Sequence, residues 1–238
     1  MSWDNVTNWV RGVGFIVSAS LFWLQYFDLK DHLNPEPRRM LALSYLLGAG
    51  AAIVGLGLYY FMPLLGVPDD PGGTPREILL YCLLVVGPIE EGVKFVAARA
   101  FIFRSVHFDE PIDGLIYSSA IAIGFASFES LIYTAIMEWP YQLARAITAP
   151  LTHSLFSSIW GFATAYAFFR TRNRQIRFGL QAGSLIAAII AHGLYDFVLL
   201  SENLTFAASG ISLILWITLI LYARKVVHSR PIVSKQVV

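Results

Sequence analysis

The sequence predicts an all-α protein: a polytopic membrane helix bundle of about seven transmembrane helices, N-terminus outside and C-terminus cytoplasmic. Three observations predict it. Apolar residues make up 56% of the 238-residue chain and charged residues only 14%, whereas soluble domains carry about 25% charged residues. Seven apolar stretches come close to the ~20 residues that a ~30 Å hydrocarbon core requires. Lysine and arginine alternate between loops in the sense of the positive-inside rule.

Each span has its own signals. The first, about 9–27, follows MSWDNVTNWVR, which has one arginine and no small-x-small cleavage pattern after it, so it is read as a span and not a signal peptide. The second, 40–62, is crowded with Gly and Ala, and Ala51 with Gly55 makes a small-xxx-small face for close helix packing. GVPDDPGGTPRE is an outer Pro/Gly turn cluster leading into the third span, 78–101, where Gly87 and Pro88 loosen the helix. HFDEPIDG opens the fourth, 114–137; Asp109 is expected to cap a helix whose first turn holds Pro111 and Asp113, and Glu36 to be a solvated loop charge. The fifth, sixth and seventh are 146–169, 178–200 and 206–222, followed by a short polar tail. Thirteen Lys and Arg fall on the cytoplasmic side of this arrangement. Only Arg11, Arg76 and Arg145 fall outside, and Lys94 lies within a span.

With such short loops, residues 1–238 form a single integral-membrane domain. The formal net charge of +1 suggests no nucleic-acid partner, and the lone Cys82 excludes both a disulfide framework and a Cys-ligated metal.

Ionisable residues interrupt these spans: Glu90 and Glu91 in the third, Glu129 in the fourth, His153 in the fifth, His192 in the sixth. A charge at the bilayer centre costs about 2.5–3.5 kcal/mol on insertion scales, so four spans carrying them imply a shared polar site. At 1.5 Å per residue, Glu129, His153 and His192 share a depth roughly 10–12 Å below the outer surface. Helical spacing pairs Glu90 with Lys94, Phe125 with Glu129, and His192 with Asp196. Lys94 is expected to neutralise Glu90, and Asp196 to hold one ring nitrogen of His192. Adjacent Glu90 and Glu91 point about 100° apart, into different environments, as acid/base chemistry requires. Glu129 has no cation in its own span and needs a partner from another. Such residues also build proton- or ion-coupled transporters, the alternative reading, although no matching pair of broken spans is visible.

PIEEGVKF at 88–95, HFDEPIDGLIYSSAIAIGFASFESLIY at 107–133, LTHSLFSSIWGF at 151–162, AHGLYDFVL at 191–199 and NPEPRRM at 34–40 resemble, in order and spacing, the PrsW-type intramembrane proteases. That family lies within the superfamily of CAAX-prenyl and bacteriocin-processing proteases. Ser130 stands where the family usually has Asn. The resemblance implies a protease of the cell membrane whose catalytic residues are Glu90, Glu91, Glu129, His153 and His192. Its implied substrate is a membrane protein such as a single-span anti-sigma factor, cut near the extracytoplasmic side.

Peptide hydrolysis needs an activated water, an oxyanion donor and an acid for the leaving amine. No serine or cysteine triad is apparent, Ser154 and Ser157 being read as packing residues, and HExxH is absent. Two mechanisms fit. In one, Glu90 or Glu91 activates water and a histidine stabilises the oxyanion, with no cofactor. In the other, His153, His192 and Glu129 hold a single divalent metal such as zinc, with another glutamate as base. The metal-free version is preferred.

Overall fold

A computed structural model describes residues 3–29 and 34–201, together with residues 210, 214, 217, 218 and 221. The predicted span 206–222 and the basic tail fall mostly outside the described residues. Within the described residues seven α-helices follow in order: α1 (Trp3–Asp28), α2 (Arg38–Phe61), α3 (Pro75–Tyr81), α4 (Gly87–Ala97), α5 (Pro111–Thr134), α6 (Trp139–Arg170) and α7 (Arg174–Leu200). No strand occurs among the described residues. Single π-helical turns, Cys82–Val86 and Ala98–Ile102, run α3 into α4 and extend α4.

Four helical stretches among the described residues are long and apolar enough to cross a membrane: Val6–Asp28, Arg38–Leu65, Pro111–Thr134 and Arg174–Leu200. The expected spans 78–101 and 146–169 are helical as well, within the α3–α4 run and α6. Their apolar character is diluted by Glu90, Glu91, Lys94 and Arg99 in the first, and by His153 with its Ser and Thr neighbours in the second.

α5 is the central helix. It is buried over most of its length and packs against α6, α2 and α1. A side chain at Gly48 would run into the backbone of Ile121, so α2 and α5 cross with their backbones in contact. That crossing lies one turn before the Ala51–Gly55 face expected from the sequence; Ala51 and Gly55 are nonetheless buried. Thr74 starts α3 through a reciprocal capping box with Glu77. The Thr74 hydroxyl and amide hold the Glu77 carboxyl below its ordinary range.

Two expectations at the start of α5 need correction. The N-cap is Glu110, not Asp109, because Asp113 accepts the backbone N–H groups of Asp109 and Glu110 at 2.6 and 2.7 Å and starts the helix one residue later. Glu36 is not solvated. It is 6% exposed and accepts a hydrogen bond from the Tyr117 hydroxyl, which draws the segment before α2 against α5.

Candidate active site

The Cys82–Val86 π-turn sits immediately before Gly87-Pro88, where proline supplies no N–H to the helical ladder. Close backbone approach brings this segment against α7. A Cβ on Gly87 would lie 2.5 Å from the Ile189 carbonyl oxygen, and one on Gly193 would lie 2.6 Å from that of Cys82. The two glycines therefore let α4 carry Glu90 and Glu91 up to His192.

Glu91 is completely buried and accepts four hydrogen bonds. Oε1 receives Lys94 Nζ at 2.6 Å and His192 Nδ1 at 2.9 Å. Oε2 receives Ser157 Oγ at 2.9 Å and Trp160 Nε1 at 2.8 Å. Every lone-pair direction of the carboxylate is engaged. The expected Glu90–Lys94 pair is thus replaced by Glu91–Lys94, because Glu91 faces the bundle interior on which the lysine converges.

Glu90 has a different environment. Its Oε1 accepts from the Tyr59 hydroxyl at 3.1 Å, while its buried Oε2 has no hydrogen-bond partner. Oε2 lies 3.8 Å from His153 Nδ1 and 3.7 Å from His192 Nε2. Lysine can only donate, so the 3.1 Å contact from Lys94 Nζ makes His153 Nδ1 an acceptor. His153 Nε2–H then donates to Glu129 Oε2 at 3.0 Å. His192 donates from Nδ1 to Glu91, and its Nε2 lies 3.4 Å from Asp196 Oδ2 as well as near Glu90. Glu90 Oε2 and these two ring nitrogens face one another.

The partner Glu129 needed from another span is Arg145 of α6, whose Nη2 pairs with Oε1 at 2.7 Å. Phe125 lies under the Lys94 ammonium, 4.4 Å from its ring centroid, and beside His153; Phe156 stacks on His192. The five expected catalytic residues and the three supporting ones thus gather in a single cluster. Ser130 has a buried hydroxyl without a hydrogen-bond partner where a longer amide side chain stands in the resembled family.

One carboxylate oxygen facing two imidazole nitrogens is a donor set of the kind that suits a cation. Glu90, His153 and His192 each offer one ligand atom within 4.8 Å of the others, and two imidazoles with one carboxylate is an accepted zinc donor set. This group contains Glu90 and not the expected Glu129, both of whose oxygens are engaged by Arg145 and the far nitrogen of His153. Glu90, Glu91, Glu129 and Asp196 gather around Lys94 and Arg145, so with all four carboxylates ionised and both imidazoles neutral a divalent cation would balance the cluster.

Sequence reasoning missed Tyr59, Arg145, Ser157 and Trp160. The last two were within reach, since 153, 157 and 160 follow the i, i+4, i+7 stripe of one helix face. Ser154, by contrast, donates to the Pro150 carbonyl of its own helix.

Residues 36–223 match the family model described as the PrsW family intramembrane metalloprotease. The chain is 31% identical over 187 residues to Protease PrsW of Geobacillus kaustophilus, covering 79% of each chain. It is 27% identical over 183 residues to Protease PrsW of Bacillus subtilis, covering 77% of this chain and 80% of the relative. With Protease PrsW of Oceanobacillus iheyensis it shares 25% identity over 219 residues, 92% of this chain and 96% of the other. No solved structure matches it. Shared residues over most of each chain favour a membrane protease over an ion-coupled transporter, and the chain belongs to the PrsW family of intramembrane proteases.

Proposed function

We propose that the chain is an endopeptidase of the cell membrane that cuts a single-span membrane protein at the point where Glu90, His153 and His192 converge. The observation that carries this reading is the buried, unpartnered Glu90 Oε2 facing the near nitrogens of two imidazoles. Each imidazole is held from behind by a carboxylate, Glu129 or Glu91, which fixes its tautomer and raises the basicity of the near nitrogen.

Glu90 Oε2, His153 Nδ1 and His192 Nε2 would hold a divalent metal such as zinc, with Lys94 giving up its contact to the His153 Nδ1 lone pair and keeping the one to Glu91. When bound, the metal polarises the scissile carbonyl and acidifies a water. Tyr59 orients the Glu90 carboxylate through Oε1. Asp196 is the carboxylate left for proton transfer. Its side chain is 19% exposed at the rim, and His192 is its one ion-pair contact among the described residues. It takes the proton of the attacking water at Oδ2 and returns it to the leaving amine. Glu91 and Lys94, both sealed from solvent, position His192 and do not touch the substrate.

A cleft of about 540 Å³ between α6 and α7 is lined in part by Phe156, Ile159, Phe162 and Ala191, and Phe156 stacks on His192. It suits the apolar segment of a substrate lying in the bilayer. An anti-sigma factor cut near its extracytoplasmic side has the required form. In a seven-span arrangement with a cytoplasmic C-terminus, the cluster would lie in the outer half of the membrane.

The test is cleavage of a tagged single-span anti-sigma-factor reporter by the purified chain and by Glu90→Gln, with elemental analysis of both. Loss of cleavage and of bound metal in the variant is expected. Undiminished cleavage by Glu90→Gln sinks the reading. A C-terminal reporter active only outside the cytoplasm rejects the seven-span topology.

A further inference from the structure

The two imidazoles facing Glu90 are secured in parallel ways. On the inner side, Lys94 pairs with Glu91 at 2.6 Å and Glu91 accepts His192 Nδ1–H at 2.9 Å. On the outer side, Arg145 pairs with Glu129 at 2.7 Å and Glu129 accepts His153 Nε2–H at 3.0 Å. Both chains run from cation to carboxylate to imidazole, and each imidazole brings its other nitrogen near Glu90 Oε2, at 3.7 and 3.8 Å. The inner cation and carboxylate are fully sealed, whereas Arg145 and Glu129 are 18% and 22% exposed.

We propose that Arg145 is a positioning residue for peptide hydrolysis, acting through Glu129 to hold His153 as the Nε2–H tautomer with Nδ1 turned to the reaction centre. The proposal rests on the reading that Glu90, His153 and His192 form that centre. Arg145 is itself held in place, since its guanidinium lies over the Tyr133 ring, 3.8 Å from the centroid. Tyr133 stands one turn after Glu129 on α5, so a single helix face supplies both the carboxylate and the platform. A hydrogen bond to an ionised carboxylate is about twice as strong as a neutral one. The guanidinium, paired to Oε1, keeps Glu129 aimed with Oε2 toward the ring. Without it the partly exposed carboxylate is free to turn to water, and the ring loses its far anchor. Lys94 at Nδ1 is then the sole remaining polar tether of His153. Arg145 Nε is buried without a partner, which raises a competing role: donation to a substrate carbonyl.

The full chain labelled with ¹⁵N-histidine, with the His153 signals assigned through His153→Gln, reports the tautomer directly. The parent is expected to show His153 in the Nε2–H form, and Arg145→Gln to show exchange between forms. Zinc affinity by titration calorimetry and kcat on the single-span reporter should each fall about 10–100-fold in Arg145→Gln, with KM unchanged. Arg145→Lys, which keeps the charge but not the planar fork, should lie between the two. Since Arg145 acts through Glu129, the double variant Arg145→Gln/Glu129→Gln should be no slower than Glu129→Gln alone.

A parent spectrum with His153 in the Nδ1–H form overturns the proposal whether or not the variants fold. So do multiplicative losses in the double variant. A raised KM at constant kcat assigns Arg145 to substrate binding and overturns it too. Full cleavage by Glu90→Gln instead removes the reaction centre while leaving the tautomer result standing, so the two failures are distinct.

Discussion

Replacing Glu91 and Glu90 by glutamine separates the two adjacent carboxylates, because the structure assigns them opposite burdens. Glu91→Gln removes the counter-charge of Lys94, an ammonium with no solvent exposure. Breaking a buried pair from one side costs about 3–5 kcal/mol. For a chain of this size about 1 kcal/mol moves Tm by 2–4 °C, so a fall of roughly 6–20 °C is expected. The amide also turns an N–H₂ group toward two of the four donors now satisfied by the carboxylate. Glu90→Gln disturbs far less. Its amide oxygen still accepts from Tyr59, and Oε2 has no hydrogen bond to lose. Its stability should stay within about 1 kcal/mol of the parent, while cleavage disappears. Thermal unfolding in detergent, followed by tryptophan fluorescence with Trp160 reporting from the cluster itself, measures the first quantity. Reporter cleavage measures the second. The double variant Glu91→Gln/Lys94→Met removes both partners and should recover most of the lost stability. An unchanged Tm for Glu91→Gln together with unfolding of Glu90→Gln would refute the assignment of structural and reactive roles.

Three further outcomes are expected. Zinc binding should be stoichiometric in the parent and in Asp196→Asn, lost in Glu90→Gln, and weakened on acidification as the imidazoles protonate; a cleaving enzyme that holds no metal after chelation contradicts the proposed ligand set. Gly193→Ala should cost about 1–3 kcal/mol and most of the activity, since the new methyl meets the Cys82 carbonyl and pushes His192 off Glu91; parent-like cleavage by this variant would show that the α4–α7 approach has slack. The Glu77 carboxyl is held low by Thr74, so its capping contribution is present at neutral pH and is lost as pH falls through its lowered pKa; an NMR titration placing Glu77 at the ordinary value of about 4.3 rejects the cap.

How far the site could be read in advance follows from what helical geometry encodes. Glu90, Glu91, Glu129, His153 and His192 were legible because a charge within an apolar span announces its own cost. Their convergence was legible from shared depth, since α5, α6 and α7 place the residues at one level along parallel rises. Pairing was not. Spacing of i and i+4 assigned Lys94 to Glu90, but i+3 also shares a face, and the choice depends on which carboxylate points at Ser157 and Trp160 across the interface. Burial of Glu36 escaped for a similar reason: Tyr117 lies 81 positions away on α5, and nothing local to NPEPRRM reports it. Tyr59 and Arg145 look like rim residues in the sequence, yet each completes a carboxylate from another helix.

The same geometry bears on the choice of mechanism. The sequence left a histidine oxyanion donor and a metal ligand both open, with the metal-free version preferred. Tautomers bear on the choice, because a neutral imidazole that donates from its far nitrogen presents a lone pair and not a proton at the near one. Lys94 and Glu129 together make the near nitrogen of His153 an acceptor, and with Glu91 behind it the near nitrogen of His192 accepts when its ring is neutral. In that state one carboxylate and two imidazole nitrogens form a donor set that a divalent cation would complete, which is the physical argument for the proposed metal site.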